Sequence, residues 1–317
     1  MRKNWGMFFS LSELQKMSYS RLLEKFFNFA YELSRMGKKN VYPSEVLSAE
    51  EGNRFLKQKL QENLPFMATR FGANEIGYAY RSFHGLRIPF KLRHSIANTG
   101  FFPADDKKLL AKFSEIYMKS AEKADFMGVW NSSEYEGSAI SEFCPNATLM
   151  PLISLEPYYF NDPWSKALNG KKVLVVHPFA KTIEKQYSKH SKLFENKDVL
   201  PDFNLILFKS ENTIFGHEKF KNWFEVFDYS CEQIAKIDFD VAIIGAGAYG
   251  LPFAAFVKKM GKQAIHMAGA TQILFGIKGR RWDKHPIISK FYNESWVRPD
   301  AEETPKDHLR VEKGCYW

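Results

Sequence analysis

An arginine and a glutamate flank a glycine at the end of a predicted buried strand, in the segment RFGANE over residues 70–75. The apolar run before Arg70 is typical of a buried strand, Gly72 permits a tight turn, and Glu75 opens a predicted helix. A guanidinium binds phosphate or carboxylate as a planar fork, while a carboxylate can act as a base or a metal ligand. The pattern favours chemistry at Arg70 and Glu75, and leaves open a structural Arg–Glu pair that closes the turn.

A second strand end delivers His177, and Lys181 falls in the first turn of the helix that follows. Helix N-terminal amides attract anions, and the lysine adds positive charge there. The segment therefore predicts an anion site with His177 as a candidate acid–base group. A histidine with a purely structural role is the alternative.

A glycine-rich turn follows a third strand, with Gly245, Gly247 and Gly250 in the pattern GxGxxG before a predicted helix. This context is typical of a turn that cradles phosphate. A dinucleotide-binding fold also needs an acid near the end of the next strand, where this chain has His266. The turn therefore favours a phosphate-bearing ligand over NAD, and close helix–strand packing is the other explanation for the glycines.

A fourth strand end leads through Gly269 and Gln272 into a loop of cations that includes Lys278 and Arg281, with a tryptophan beside them. Such a loop suits a diphosphate, or a sugar that stacks on an aromatic ring. A solvated basic loop is the alternative.

The elements that must position these residues alternate between short apolar runs and amphipathic helices. This alternation predicts an α/β fold, a Rossmann-like and mostly parallel sheet with helices on both faces. Ligands of such sheets bind outside the carboxyl ends of the strands, so we expect the four segments to meet at one edge. The candidate strands are Phe66–Arg70, Asp125–Trp130, Thr148–Ile153, Lys172–His177, Leu205–Phe208, Val241–Gly245 and Gln263–Met267.

The first 64 residues have helical patterns alone, whereas the later residues alternate between short apolar runs and helices. This difference predicts a helical appendage over residues 1–64 and an α/β domain over residues 65–317. Capping-box patterns at Ser10–Glu13 and Ser48–Glu51 predict two helix starts. The appendage is expected to pack on the main domain or on a second subunit in a homo-oligomer. The aromatic stretch Trp5–Phe9 beside basic residues suggests peripheral membrane contact as another role.

Composition narrows the class of protein. The chain of 317 residues is 45% hydrophobic and 26% charged, which is typical of a globular protein, and its net charge of +9 favours anionic partners. Three dispersed cysteines indicate neither a disulfide framework nor a thiolate zinc site. No run is long enough to span a bilayer, so we expect a cytoplasmic protein. Without a basic stripe or a nucleic-acid motif, we expect no nucleic-acid partner.

Taken in order, the motifs resemble bacterial glycosyltransferases of the GT-D fold, and more closely their relatives in capsule and O-antigen gene clusters. The resemblance covers about residues 65–317. It is carried by RFGANE (70–75), LEPYYFNDPWS (155–165), KVLVVHPFAKTIEKQY (172–187), GAGAYGLP (245–252), HMAGATQILFGIKGRRW (266–282) and a terminal YW.

The resemblance implies transfer of a sugar from a nucleotide-diphosphate donor to a glycan or lipid-linked acceptor in surface polysaccharide biosynthesis, at the inner face of the membrane. The expected catalytic residues are Glu75, Arg70 and His177, and Glu156 is a further candidate base. The expected nucleotide-sugar-binding residues are Gly72, Asn74, Lys181, Gly245, Gly247, Gly250, His266, Gly269, Gln272, Lys278 and Arg281.

One departure from the family concerns metal binding. Family members carry RFG-Asp-x-Glu, whose acidic pair binds the metal–diphosphate unit, and this chain has Ala73 at the first acidic position. A Mn²⁺ or Mg²⁺ ion would then rely on Glu75 with another acid such as Glu156 or Asp162, or cations would neutralise the diphosphate without metal. Two other functions stay open: an NAD(P)-linked oxidoreductase, from the glycine turn, and a non-catalytic partner in a polysaccharide assembly complex, from Ala73.

Overall fold

A computed structural model describes residues 40–317. Within this range seven strands form one sheet, in the order β3-β2-β1-β7-β6-β4-β5, and every neighbouring pair is parallel. The predicted parallel α/β sheet is confirmed, and each predicted strand is present to within two residues at either end. The strands are β1 Phe66–Arg70, β2 Phe126–Val129, β3 Thr148–Pro151, β4 Lys172–His177, β5 Asn204–Lys209, β6 Val241–Ile244 and β7 Gln263–His266.

Helices cover both faces of this sheet. Successive residues of β4 point to opposite sides, so Leu174 and Val176 join one apolar core while Val173 and Val175 join the other. Strands buried on both faces are nearly continuous apolar runs, which is why the sequence revealed them. The helices are α1 Ala49–Glu62, α2 Ala73–Phe83, α3 Phe90–Ser95, α4 Lys107–Ala121, α5 Glu136–Phe143, α6 Ala180–Tyr187, α7 Trp223–Ile234, α8 Gly250–Lys259 and α9 Ala270–Leu274.

Helix α1 begins at the second predicted capping box. Ser48 accepts a hydrogen bond from the amide of Glu51, and the Glu51 side chain bonds back to the Ser48 amide. Leu56 and Leu60 are fully buried against the second core, and Asn53 bonds the backbone of the segment 162–164. This helix therefore packs on the sheet. The division of the chain at residue 64 stays a prediction, and the helix expected after Ser10 lies outside the described residues.

The chain after Trp296 packs against the loop that follows β7 and α9. The amides of Lys278 and Arg281 bond the carbonyls of Val297 and Cys315, respectively, so the last twenty residues run beside the basic loop. In residues 40–317, none of the helices combines the length and apolar character needed to cross a membrane.

Candidate functional site

A cleft of about 230 Å³ opens at the carboxyl ends of the strands, where β1, β4, β6 and β7 each contribute their last residue or the one that follows it. Most of the predicted site residues line this one cleft, and three of them do not. The functional roles of all these residues stay predictions. The predicted residues that line it are Arg70, Gly72, Asn74, Glu75, His177, Gly245, Gly247, His266, Gly269, Gln272 and Arg281; Lys181, Gly250 and Lys278 do not.

Arg70 ends β1 with its guanidinium stacked on an aromatic ring. Its Cζ atom lies 4.5 Å from the centroid of Trp130, which follows β2 and is itself held by a bond from its indole N–H to the Phe71 carbonyl. The Arg70 Nε atom is buried, with no hydrogen-bond partner among the described residues. A buried unpaired donor is costly, so the site has unused capacity to bind an acceptor such as a phosphate oxygen.

Glu75 lies in the first turn of α2, next to the N-cap residue Gly72, whose amide bonds the Tyr117 hydroxyl at 3.1 Å. Enclosure by the protein raises the pKa of the Glu75 carboxyl; the positive charge of Arg70 opposes this shift and the carboxylate of Glu312 adds to it. Arg70 and Glu75 form no ion pair with each other in the described part of the chain. Their charges nonetheless interact, because Arg70 opposes the rise in the Glu75 pKa, and the role of the motif stays a prediction.

His177 ends β4 and lines the cleft. Its Nδ1 atom accepts the amide N–H of Phe179 at 3.0 Å, and burial lowers the pKa of the ring to about 3. The ring is therefore neutral near pH 7, with its proton on Nε2. With Nδ1 occupied in this way, the ring has a proton to donate and no free lone pair, which favours a donor over a base; the catalytic role of His177 stays a prediction.

His266, at the end of β7, is also neutral. Burial and the nearby Arg70 charge lower the pKa of its ring to about 3. Nδ1 lies 2.9 Å from the Thr69 hydroxyl, and Nε2 is buried without a partner among the described residues. This unpartnered nitrogen lies against Gly250, which does not line the cleft.

Close packing accounts for all three glycines of the GxGxxG turn. A Cβ atom on Gly245 would lie 2.7 Å from the Ala268 carbonyl, and one on Gly250 would overlap the His266 ring. Gly247 has a φ of 51°, and a Cβ there would overlap the Thr99 carbonyl oxygen. Gly245 and Gly247 line the cleft, while Gly250 lies behind it. The pattern by itself therefore does not identify a phosphate ligand.

The anion site expected at the start of α6 is filled by the chain itself. The Glu303 carboxylate accepts bonds from the amides of Lys181 (2.7 Å) and Thr182 (3.1 Å), and from the Thr182 hydroxyl (2.5 Å). The Lys181 ammonium pairs with Glu302 at 2.7 Å. Lys181 consequently does not contribute to the cleft.

The three cations of the basic loop point to different places. Lys278 lies 5.4 Å from the centre of the Tyr292 ring, and Arg280 donates to the Lys313 carbonyl at 2.7 Å. Arg281 faces the cleft and forms an ion pair with Glu312 at 2.7 Å. The loop therefore contributes one cation to the site, not the cluster that its composition predicts.

Gln272 and Gly269 connect this loop to the chain terminus. The Gln272 amide nitrogen donates to the carbonyls of Tyr316 and Ile277, at 3.2 and 3.3 Å, and its Oε1 atom is buried without a partner in the described range. A Cβ atom on Gly269 would lie 2.9 Å from the Tyr316 ring. The terminal segment is thus fitted closely against the cleft wall.

No protein-family model matches this chain, and no curated protein matches it. Two solved structures are similar to it. A selenomethionine-substituted structure of domain of unknown function 1792 has a TM-score of 0.43 and 14% identity, covering 86% of this chain and 96% of that one. A second, reported with the statement that this highly conserved domain has a distinct glycosyltransferase fold, has a TM-score of 0.44 and 14% identity, covering 82% and 92%. Sequence identity of 14% and TM-scores below 0.5 support no functional conclusion from either structure.

Several lining residues were missed by sequence reasoning. Trp130 and the segment 210–214 follow β2 and β5, so the strand-end rule applied to every strand would have found them. The segment 98–100 and the terminal residues Val311, Glu312, Tyr316 and Trp317 carry no such signal, because only the tertiary fold brings them to the cleft.

The acids present do not make a resident metal site. Three glutamates line the cleft, but Glu312 pairs with Arg281 and Glu211 with His217 at 3.1 Å, which leaves Glu75. The candidate partner acids lie elsewhere: Glu156 bonds the Tyr158 hydroxyl, and Asp162 pairs with Lys57. Among residues 40–317 no group of three or more metal-ligating side chains is arranged around a common point.

Proposed function

We propose that this protein transfers a sugar from a nucleotide-diphosphate donor to a hydroxyl group of a glycan or glycolipid acceptor. The observation that supports this best is the convergence in one cleft of two arginines, a neutral histidine and a carboxyl group that has no ion-pair partner among the described residues: Arg70, Arg281, His177 and Glu75. Cations and neutral donors suit a diphosphate, and the carboxyl group suits an acceptor hydroxyl.

The leaving group determines what the cations do. As the bond from the anomeric carbon to the diphosphate oxygen breaks, negative charge grows on the diphosphate, and fixed donors that face it lower the barrier. Arg70 is pre-oriented by its stack on Trp130 and has an unpaired Nε. His177 donates through Nε2 without adding charge. Arg281 supplies the second positive charge when it exchanges Glu312 for phosphate oxygens.

The acceptor hydroxyl must lose its proton as its oxygen bonds to the anomeric carbon, and Glu75 is the candidate base. Enclosure raises the pKa of its carboxyl, which makes the carboxylate a stronger base than an exposed one. Glu156 has a carboxyl whose pKa burial raises to about 7, but it bonds Tyr158 and does not line the cleft. We therefore assign the proton to Glu75.

A metal ion is not needed for any of these steps, and the acids present give it no complete site. A divalent ion would have to take most of its oxygen ligands from the donor phosphates. We propose that the arginines carry the charge compensation, and that the reaction is a step of surface polysaccharide biosynthesis in the cytoplasm.

The direct test is a thermal-shift screen of the full chain with UDP-, GDP- and dTDP-sugars and NADH, each with Mn²⁺ and with EDTA, followed by a hydrolysis assay of the stabilising donor. A nucleotide sugar that binds raises the stability of the folded state by mass action. Stabilisation by a nucleotide sugar with turnover supports the proposal. Stabilisation by NADH alone would replace it with an oxidoreductase, and binding without turnover would replace it with a non-catalytic partner.

A further inference from the structure

A second concavity, of about 860 Å³, lies beside the cleft and is mainly apolar. We call it the α2–α3 groove, because these two helices and the segments 101–107 and 215–216 line it. Two of its apolar side chains are open to solvent, Leu86 at 41% and Phe90 at 45%. Its further apolar lining residues are Tyr78, Ile88, Phe101, Phe102, Leu110 and Phe215.

The groove and the cleft adjoin each other along the chain. Three chain segments contribute neighbouring residues to both. In segment 97–102, residues 98–100 line the cleft and the residues on either side line the groove. In segments 213–216 and 310–312, residues 213–214 and 311–312 line the cleft, and residues 215–216 and 310 line the groove. At the junction the Arg310 guanidinium lies 3.9 Å from the centre of the Phe215 ring. The two concavities are therefore close enough that one extended ligand would contact both by passing over these shared segments.

The rim of the groove is basic. Arg93, Lys107 and Arg310 line it together with one acid, Asp105. Arg310 has a partner in Asp307 at 3.6 Å, and Arg93 bonds the Ile88 carbonyl through Nε. Lys107 is exposed at the first position of α4. An apolar floor with a cationic rim is complementary to an amphiphile whose head group is anionic.

We propose that the α2–α3 groove binds the apolar chain of the acceptor, and that this acceptor is a lipid phosphate with its glycan directed into the cleft. The inference rests on the proposed transferase function, since it names the acceptor of that reaction. The reaction itself is unchanged: the acceptor oxygen bonds to the anomeric carbon, the bond to the diphosphate breaks, and the proton goes to Glu75.

The probe is farnesyl phosphate, compared with farnesol and with inorganic phosphate, and binding to the full chain is measured by titration calorimetry. We expect farnesyl phosphate to bind at least about tenfold more tightly than either part alone, because the groove and its rim each contribute. Equal affinity for farnesol, or no binding of farnesyl phosphate, would overturn the proposal.

Two matched pairs of variants locate the probe. Lys107→Glu should weaken farnesyl phosphate binding about tenfold, whereas Lys108→Glu should leave it unchanged, because Lys108 lies in the same helical turn but does not line the groove. Both changes put an acid at a helix start, where it favours the fold. Phe90→Ser should weaken binding similarly, and Phe83→Ser, 40% exposed outside the groove, should not.

The donor measurement separates this inference from the function on which it rests. In all four variants nucleotide-sugar binding in the cleft should remain as in the unaltered protein. If a groove variant and its control, such as Lys107→Glu and Lys108→Glu, lost farnesyl phosphate binding equally, the probe would bind outside the groove. That result would refute the assignment of the groove as its binding site. Probe binding confined to the groove in a protein that binds no nucleotide sugar would leave the groove as a lipid-phosphate site and refute the transferase.

Discussion

The ion pair between Arg281 and Glu312 makes the sharpest prediction about the cleft. In the absence of donor, the Glu312 carboxylate holds the guanidinium at 2.7 Å, in the place that a phosphate oxygen would take. Glu312 lies in a left-handed turn beside the cleft, because Glu312, Lys313 and Gly314 all have positive φ values, of 46°, 60° and 78°. Replacing Glu312 by Gln should therefore free Arg281 for the donor and strengthen donor binding.

The expected change in donor affinity depends on how exposed the Arg281 and Glu312 side chains are. The two side chains are 36% and 58% exposed, and ion pairs at such sites contribute about 0.2–1 kcal/mol. Removing the competing carboxylate should raise affinity for a nucleotide sugar by at most about fivefold. Arg281→Gln should instead lower it by about tenfold to a hundredfold, since charge-assisted hydrogen bonds contribute about 1.5–3 kcal/mol.

Titration calorimetry with the donor found in the thermal-shift screen measures both variants. Glu302→Gln is the control, because Glu302 pairs with Lys181 at 2.7 Å outside the cleft, and its removal should leave donor affinity unchanged. A weaker donor complex in Glu312→Gln would refute the competition. If that loss also abolished a dependence on Mn²⁺, Glu312 would be a metal ligand, and the cation-only account of the diphosphate would be wrong.

Three further outcomes test the same cleft. Glu75→Gln should keep the thermal midpoint and donor affinity but lose at least about a hundredfold in kcat, the usual contribution of a positioned base; unaltered turnover would remove Glu75 from the reaction. Gly247→Val should weaken donor binding, measured by calorimetry, because its side chain meets the Thr99 carbonyl and strains a left-handed residue. Since the pKa of Glu75 is raised and the base must be ionised, kcat should fall as pH drops through a value above the ordinary 4.5; in Arg70→Gln, which loses the opposing positive charge, this fall should occur at higher pH.

The strands, and the residues at their ends, could be predicted from the sequence because the sheet is parallel and buried on both faces. Strands β4 and β6 are buried on both faces, so each is a continuous apolar run that ends where the chemistry begins, at His177 and Gly245. Parallel strands bring such ends to one edge. This is why Arg70, His177 and Gly245 could be assigned to a common cleft from residue types and order alone.

What a side chain binds could not be foreseen in the same way. Lys181 lies at a helix start, as predicted, yet Glu303 comes from 122 positions away to take that helix's amides. Glu303 has no local pattern that marks it as a cap. A carboxylate from the same chain and a ligand phosphate satisfy the same N–H groups, so the sequence pattern of an anion site cannot distinguish them.

The same reasoning decides which unpaired groups matter most. At α6 the chain supplies its own anion, and at Arg281 it supplies one that is partly exposed and can be displaced. At Arg70, Ser210 and Gln272 it supplies none: each has a buried polar atom without a partner in the described residues, and all three side chains line one cleft. Buried donors and acceptors left unpaired cost stability, so a fold that retains three of them beside one cavity is better explained by a polar ligand than by packing. A ligand that satisfies them should slow hydrogen exchange at the amides of the cleft segments more than it slows exchange around Lys181, where the donors already have partners.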